Sequence, residues 1–556
     1  MLSFLLHSRK SAIDFCSFRV YTIRYDKTET ERCDKMKKRQ IWNIIFTALF
    51  ALLAIIEIVT VRSILRLDML PGGLVALIIA LFVVYDLVAA YFMFLRGRRV
   101  PRNKARVVAK RRRIIACVLA IVMCCGCVVI STVAKDVYDT LNMVTETPDE
   151  TPEEDPGITR TVFVRVHDKA QELIDAKDYN YGIVIHYDDV CTQQAVEEVK
   201  KQVGGNIQIT EFLSVFEMAD ALLSGKLNAM ILNSGYISIL EGDERYETFG
   251  EQTRALAHVK IEGDGQELDG SGLLMNAEAD IAENGKLKPF IMYISGSDSR
   301  EGVLDNGRSD VNILAAVNPE TRQVLLINSP RDFLVSNPAG NGAEDKLTHC
   351  GIWGVQNSMG ALEALYGHPV QYYAQLNFTG LEKLVDAIGG ITVKSDVAFT
   401  LYRNAGKIKV GKNTLNGKEA LAFARTRKGL DGGDNDRGKN QMKVIKAVID
   451  KATSGATIVN NYGAIMKSID GMFIMNVPTP LITQLVKNQL ADMSGWNVVS
   501  YSSTGKGGYY ECYSAPGQKL SAVKPDAAKV AKASKLIEKV FAGEILTEEV
   551  INTTTG

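Results

Sequence analysis

Gly307–Asp332 reads GRSDVNILAAVNPETRQVLLINSPRD. Within it, Val311–Val317 and Gln323–Asn328 are short apolar runs of the kind that form buried strands. Each run has charged residues at one border: RSD, with Asp310, precedes the first, and SPRD, with Arg331 and Asp332, follows the second. Upstream, Phe290–Ser295 is a third strand candidate and runs into GSDSREG, with Asp298 and Arg300. Downstream the apolar period becomes helical at Gly354–Tyr366, Thr379–Ile388, Gly417–Ala424 and Gly438–Ala452. Strands alternating with helices predict a layered α/β/α domain, and folds of that kind place ligands at strand ends.

The chain is 556 residues long, carries a formal net charge of zero and is 46% apolar, which speaks against disorder and against a nucleic-acid binder. That length predicts two to four domains. Three long apolar runs, Ile41–Val61, Leu70–Leu95 and Ile114–Ala134, precede the soluble part. Each is long enough to cross a hydrocarbon core of about 30 Å. The stretch 96–113, RGRRVPRNKARVVAKRRR, holds ten Lys or Arg and no acid, so the positive-inside rule makes it a cytoplasmic loop. Three spans then put everything after about residue 135 outside the cell. Two acids, Glu57 and Asp86, fall within the spans; Glu57 is expected to reach water at the outer end.

The segments divide as a leader at 1–35, three transmembrane helices at 36–134, an acidic Pro-rich linker at 135–159, a small α/β accessory domain at 160–275 and a larger α/β domain at 285–545. Met36, followed by KKRQ, looks like a natural start, which would make the leader a start-site artefact. The linker, TETPDETPEEDPG, cannot bury a core. In the accessory domain, Tyr181–His186 and Leu227–Leu232 are strand candidates and Ala195–Val203 is amphipathic. No polar motif converges there, which points to binding or spacing. Four of the nine cysteines, Cys117, Cys124, Cys125 and Cys127, lie in the third apolar run as small hydrophobes. Cys191, Cys350 and Cys512 would face the exterior and make no disulfide framework, and no Cys/His spacing suggests zinc.

The chemistry gathers in three clusters. Asp298 and Asp310 are carboxylates at strand ends with no histidine beside them, a set that suits Mg²⁺ (or Mn²⁺). Arg331, with Arg425 and Arg427 in FARTRK and Arg437 in GDNDRGKNQ, suits a pyrophosphate, because the guanidinium fork matches phosphate oxygens. Arg437 and Gln441 are four apart and share a helical face, which Asp436 would cap. Lys346 is a phosphate ligand or a solvated loop lysine, and His349 a base or a structural residue. The DGGDND run misses the calcium-loop spacing.

Read together, YISGSDSR, the Gly307–Asp332 stretch, EDKLTHCGIWGVQNSMGALEALYG, YYAQLNFTGLEKLVDAIGGI, LNGKEALAFARTR and GGDNDRGKNQ resemble the LytR-CpsA-Psr family, in the order that family shows. The likeness is dense over about 288–455 and continues to about 545. Three spans before an accessory domain look like its capsular-polysaccharide branch. The resemblance implies an α/β/α catalytic domain with a central mixed sheet and an apolar tunnel for lipid. It implies an extracytoplasmic phosphotransferase that moves a capsular or teichoic-acid-like glycopolymer from undecaprenyl pyrophosphate to peptidoglycan, with pyrophosphatase activity as a side reaction. Carried over by motif, Asp298 and Asp310 would hold the metal. Arg300, Arg331, Lys346, Arg425, Arg427, Arg437 and Gln441 would hold the pyrophosphate, and Arg331, Asp332, Arg425 and Arg427 would serve catalysis. Ser299 stands where many relatives place the arginine that here follows as Arg300. The alternatives are a membrane-bound transcriptional regulator, which lacks a helix-turn-helix pattern to act with, and a non-catalytic lipid-binding scaffold.

Overall fold

A computed structural model of the chain describes residues 41, 44–45, 47–66, 68–94, 102–144, 158–185, 189–261, 286–297, 307–427, 429–430, 432–454 and 473–556. The leader at 1–35, the Pro-rich stretch 145–157 and residues 298–306, with Asp298 and Arg300, lie outside these residues. The chain forms two compact units, Met1–Asp136 and Val137–Gly556.

The first unit holds three helices: α1 over Thr47–Arg66, α2 over Gly72–Phe94 and α3 over Arg102–Val144. Each carries a stretch of 20 to 22 residues long and apolar enough to cross a membrane. Residues 102–113 of the basic stretch are not loop but the first turns of α3. Arginine, lysine and alanine are good helix formers, and no breaker separates them from the apolar run. Leu53 packs against Ala116 and Ala120, whose small side chains let α1 and α3 approach closely. Thr60 Oγ1 lies 3.0 Å from Ser131 Oγ on the same seam. Glu57 does not reach water as expected. It shares the face of Leu53 and Thr60, is 5% exposed, and its carboxyl meets that of Asp86.

The second unit opens with five strands: β1, Ile158–Arg165; β2, Asn180–Val184; β3, Gln208–Phe212; β4, Ala229–Leu232; and β5, Thr253–Ile261. Their order is β3-β2-β4-β1-β5, with β2 parallel to β3 and β4 and β1 antiparallel to β4 and β5. Alternation along the strands buries both faces. Val162, Val164, Ile183 and Ile231 meet helix Asp189–Val203 on one side. Phe163, Val184, Met230 and Leu232 meet helices Val215–Leu223 and Gly235–Leu240 on the other.

The larger domain is built on β6, Phe290–Ser297; β7, Ser309–Asn318; and β8, Gln323–Asn328, an antiparallel meander. Tyr372–Asn377 joins parallel to β6, Asn497–Ser502 parallel to β8, and Phe473–Met475 antiparallel at one edge, giving a six-stranded mixed sheet. On one face Ile291, Tyr293, Leu314, Ala316, Leu325 and Ile327 pack against helices Val355–Tyr366 and Ala527–Phe541. On the other, Phe290, Ile313, Ala315, Val317 and Leu326 pack against helices Asp434–Ala452 and Thr479–Asp492. This is the expected α/β/α layering around a central mixed sheet. A further cluster, from Val385, Ile391, Leu415, Phe423 and Val444, builds a lobe from helices Phe378–Ala387 and Gly417–Arg425 and hangs it on helix Asp434–Ala452.

The accessory sheet docks on the larger domain. Asn233, just past the end of β4, donates its Nδ2 to the Ile352 carbonyl at 3.0 Å. Ile352 is fully buried in the accessory core, and the Tyr236 and Trp353 rings meet edge-on at 6.1 Å. Cys350 and Cys512 are both buried free thiols.

Candidate active site

Antiparallel pairing puts the start of β7 beside the ends of β6 and β8. Asp310, second residue of β7, therefore stands at one sheet edge with the loop that follows β8 and carries Arg331 and Asp332. Strand Tyr372–Asn377 runs parallel to β6 and delivers Phe378 to the same edge. Helix Asp434–Ala452 approaches from one face. A Cβ on Gly438 would lie 2.3 Å from Asn328 Nδ2, so only glycine lets this helix come so near the end of β8. Arg437 and Gln441, each 8% exposed, are thereby brought to the edge one turn apart. Helix Gly417–Arg425 ends as Thr426 turns extended, and Arg425 and Arg427 emerge on that stretch.

The result is a cavity of about 250 Å³ lined by Arg308, Asp310, Val311, Arg331, Phe378, Tyr402, Arg425, Arg427, Arg437 and Gln441. Among the described residues that line it, five are arginines and one is a carboxylate. Arg331 Nη1 donates to Asp310 Oδ1 at 2.9 Å, and Thr348 Oγ1 reaches the same oxygen at 3.5 Å. Burial by itself would raise the Asp310 carboxyl, but the guanidinium groups of Arg331, Arg308 and Arg437 outweigh it and hold the group ionised below its usual range. Arg425 is held differently: its guanidinium lies 4.3 Å from the Phe378 ring centre and 4.9 Å from that of Tyr402. Gln441 Nε2 is 3.5 Å from the Ala424 carbonyl, which braces the arginine stretch.

Asp332 and Lys346 sit behind this wall. Lys346 Nζ is 2.6 Å from Asp332 Oδ1, and Arg331 Nε is 3.8 Å from Asp332 Oδ2. Burial would raise the Asp332 carboxyl; Lys346 and Arg331 reverse that and lower it. Neither residue lines the cavity, and Asp332 meets its wall at Arg331. His349, 3% exposed, lies 2.7 Å from Ser514 Oγ and 3.1 Å from Asp345 Oδ1 through Nδ1, inside a buried network that gives it a structural role. Asp436 is not the helix cap. Gly433 holds that position, and Asp436, in the first turn, accepts from Gly432 N at 2.9 Å and pairs with Lys439 at 2.8 Å.

The arginines come from motifs whose order and spacing span the second half of the chain, and the model of the LytR_cpsA_psr family matches residues 245–529, just over half of it. The chain belongs to that family. It is 34% identical over 184 residues to the polyisoprenyl-teichoic acid–peptidoglycan teichoic acid transferase TagU of Enterococcus faecalis, covering 33% of this chain and 59% of that protein. It is 36% identical over 197 residues to the protein of the same name from Bacillus subtilis, covering 35% and 61%. The solved structure of Lin1025 protein from Listeria innocua aligns at 30% identity with a TM-score of 0.38, over 46% of this chain and 99% of that one. The chain thus spans about three fifths of the length of the curated relatives it matches.

Within this LytR_cpsA_psr domain the structure brings Asp310, Arg331, Arg425, Arg427, Arg437 and Gln441 around one cavity. It adds residues that motif reading did not single out: Arg308, Phe378 and Tyr402. Arg308 had a signal, standing two residues before Asp310 at the head of a strand. The aromatics had none, because their place depends on how the lobe folds back on the sheet edge. Among the described lining residues Asp310 is the one carboxylate, an oxygen donor of the kind a hard cation takes, and no group of three metal-ligating side chains gathers among the described residues.

Proposed function

We propose that this chain is a membrane-anchored phosphotransferase that joins a glycopolymer, delivered on polyprenyl pyrophosphate, to peptidoglycan at the outer face of the membrane. The observation that carries this is the convergence of five arginines on one cavity against a single carboxylate among the described lining residues. Such an excess of forked cations matches a pyrophosphate and is poorly suited to a neutral ligand. The basic stretch before the third span supports an extracytoplasmic second unit. The relatives' names, teichoic acid transferases acting on peptidoglycan, support a teichoic-acid-like polymer as cargo and peptidoglycan as acceptor; a capsular polymer is the cargo that three spans before an accessory domain suggest.

The transfer requires no nucleotide. A hydroxyl oxygen of the peptidoglycan glycan attacks the phosphorus that carries the polymer. The new O–P bond forms as the bridging P–O bond breaks, and polyprenyl phosphate leaves as the hydroxyl proton is lost. Arg425, Arg427 and Arg437 stabilise charge as it builds on the leaving phosphate, and Arg331 positions the other phosphate while Asp332 orients Arg331. We assign Asp310, with Asp298, as the holder of Mg²⁺ or Mn²⁺; when bound, that cation would offset negative charge on the pyrophosphate oxygens. Arg300 completes the proposed anion set, and Lys346, which stands behind the cavity, supports it by pairing with Asp332.

The test is to incubate the full-length protein in detergent with polyprenyl-pyrophosphoryl oligosaccharide and peptidoglycan. A phosphodiester adduct that needs Mg²⁺ and fails with Asp310→Ala supports the reading; hydrolysis of the donor with no adduct would replace it with a pyrophosphatase.

A further inference from the structure

Next to the arginine cavity lies a second one of about 770 Å³, and Tyr402, Arg425 and Arg427 line both. We propose that Tyr402 is the positioning residue of Arg425: with Phe378 it clamps the guanidinium flat, so that its edges serve the pyrophosphate with their charge undiminished. This rests on the pyrophosphate reading and adds to it the way the key charge is held.

The argument begins from a contrast between two arginines of one cavity. Arg331 is fixed by carboxylates: Asp310 accepts from its Nη1 at 2.9 Å and Asp332 pairs with its charge across 3.8 Å, so both offset that charge. Arg425 is fixed by ring faces at 4.3 and 4.9 Å, and has no carboxylate partner among the described residues. A ring face attracts a guanidinium through its quadrupole while leaving the in-plane N–H fork open. Contact with two rings restricts how that fork can turn, a restraint that a point-charge ammonium would not feel.

Tyr402 is itself built into place. Its backbone N–H donates to Thr426 Oγ1 at 2.9 Å, and Thr426 Oγ1 donates to the Ala422 carbonyl at 2.7 Å. Thr426, buried between Arg425 and Arg427, thus ties the tyrosine loop to the arginine stretch. The next two residues, Arg403 and Asn404, hold φ of +53° and +56°, a left-handed conformation that non-glycine residues adopt at a cost. Arg403 also lies 5.4 Å from the Tyr402 ring centre. Yet Tyr402 is 36% exposed and adds little to any core. Such local support for a side chain with so little core burial fits a ring whose task is to hold its neighbour.

The experiment compares the affinities of full-length wild type, Tyr402→Leu and Tyr402→Phe for geranylgeranyl pyrophosphate and for geranylgeraniol, alongside thermal unfolding. Wild type should prefer the pyrophosphate. Tyr402→Leu should narrow that preference by about fivefold while geranylgeraniol affinity and unfolding temperature stay put, and Tyr402→Phe should restore it to within about twofold. A leucine variant that keeps the full preference, or a phenylalanine variant that loses as much as leucine, overturns the clamp and leaves the pyrophosphate site standing. A wild type with no preference for the pyrophosphate overturns both.

Discussion

The second unit contains two mixed sheets covered by helices on both faces, and they use their strand ends in opposite ways. In the accessory sheet, the end of β4 leads to Asn233 and Tyr236, which grip Ile352 and Trp353 of the larger domain. In the larger sheet, the matching kind of edge presents Asp310, Arg331 and Phe378 to a cavity. The same architecture therefore makes a docking surface where its loops are apolar and amide-bearing, and a charged site where they are rich in arginine. Fold class is common to both; the side chains at the strand ends divide their tasks.

Breaking the charged edge should have the largest effect. Arg331→Ala removes the fork on one phosphate and strands Asp310, so transfer should fall by roughly 10²–10³-fold. A fall of less than about fivefold, measured with saturating donor, would take Arg331 out of the reaction. Arg425→Lys keeps the charge and loses the planar fork, so turnover should drop by about tenfold with a smaller loss of lipid binding. The apolar tail still contributes about 0.8 kcal/mol per buried methylene to that binding.

The docking edge predicts stability effects without chemistry. Ile352→Ala should destabilise the second unit by about 2–5 kcal/mol in a denaturant titration while leaving the affinity for a polyprenyl pyrophosphate unchanged at temperatures where it is folded. An equal loss of affinity would mean that the accessory domain shapes the site. His349, behind the charged edge, predicts a pH effect. Burial holds its folded value below the usual one, against the pull of Asp345 and helped by Lys346 and Arg308. Its contribution is thus complete above about pH 6.5 and is lost as pH falls below that, before the carboxylates titrate. His349→Gln should flatten stability between about pH 6.5 and 5. The smallest effect belongs to the accessory surface: Arg245→Ala, which breaks an exposed pair with Asp243, should change stability by less than about 0.5 kcal/mol.

The layers of the larger domain were legible because Ile313, Ala315 and Val317 alternate with Leu314 and Ala316 and both sets are apolar, the mark of a strand covered on both faces. Strand Asn497–Ser502 was not, since NVVSYS mixes polar residues into a position where one face is only half buried. The hairpin of Gly505–Cys512 and Ala515–Pro525 escapes for a like reason: it is glycine-rich and largely solvent-facing. At the site, the arginines announced themselves as residue types in motifs. Phe378 and Tyr402 did not, because an aromatic that touches an arginine across 23 or 47 residues leaves no local pattern. Glu57 differs from the expectation because the apolar run stops at Val61 while α1 continues to Arg66, which places Glu57 mid-helix, on the face that packs against its neighbours.

The most direct test of the central claim follows the two phosphates of the donor separately. Polyprenyl-pyrophosphoryl oligosaccharide labelled on the sugar-side phosphate, and a second batch labelled on the lipid-side phosphate, are each turned over by the full-length protein in the presence of peptidoglycan. The account predicts that the sugar-side label enters peptidoglycan through a phosphodiester and the lipid-side label leaves as polyprenyl phosphate. Recovery of both labels in soluble or lipid products, with none in peptidoglycan, would contradict it.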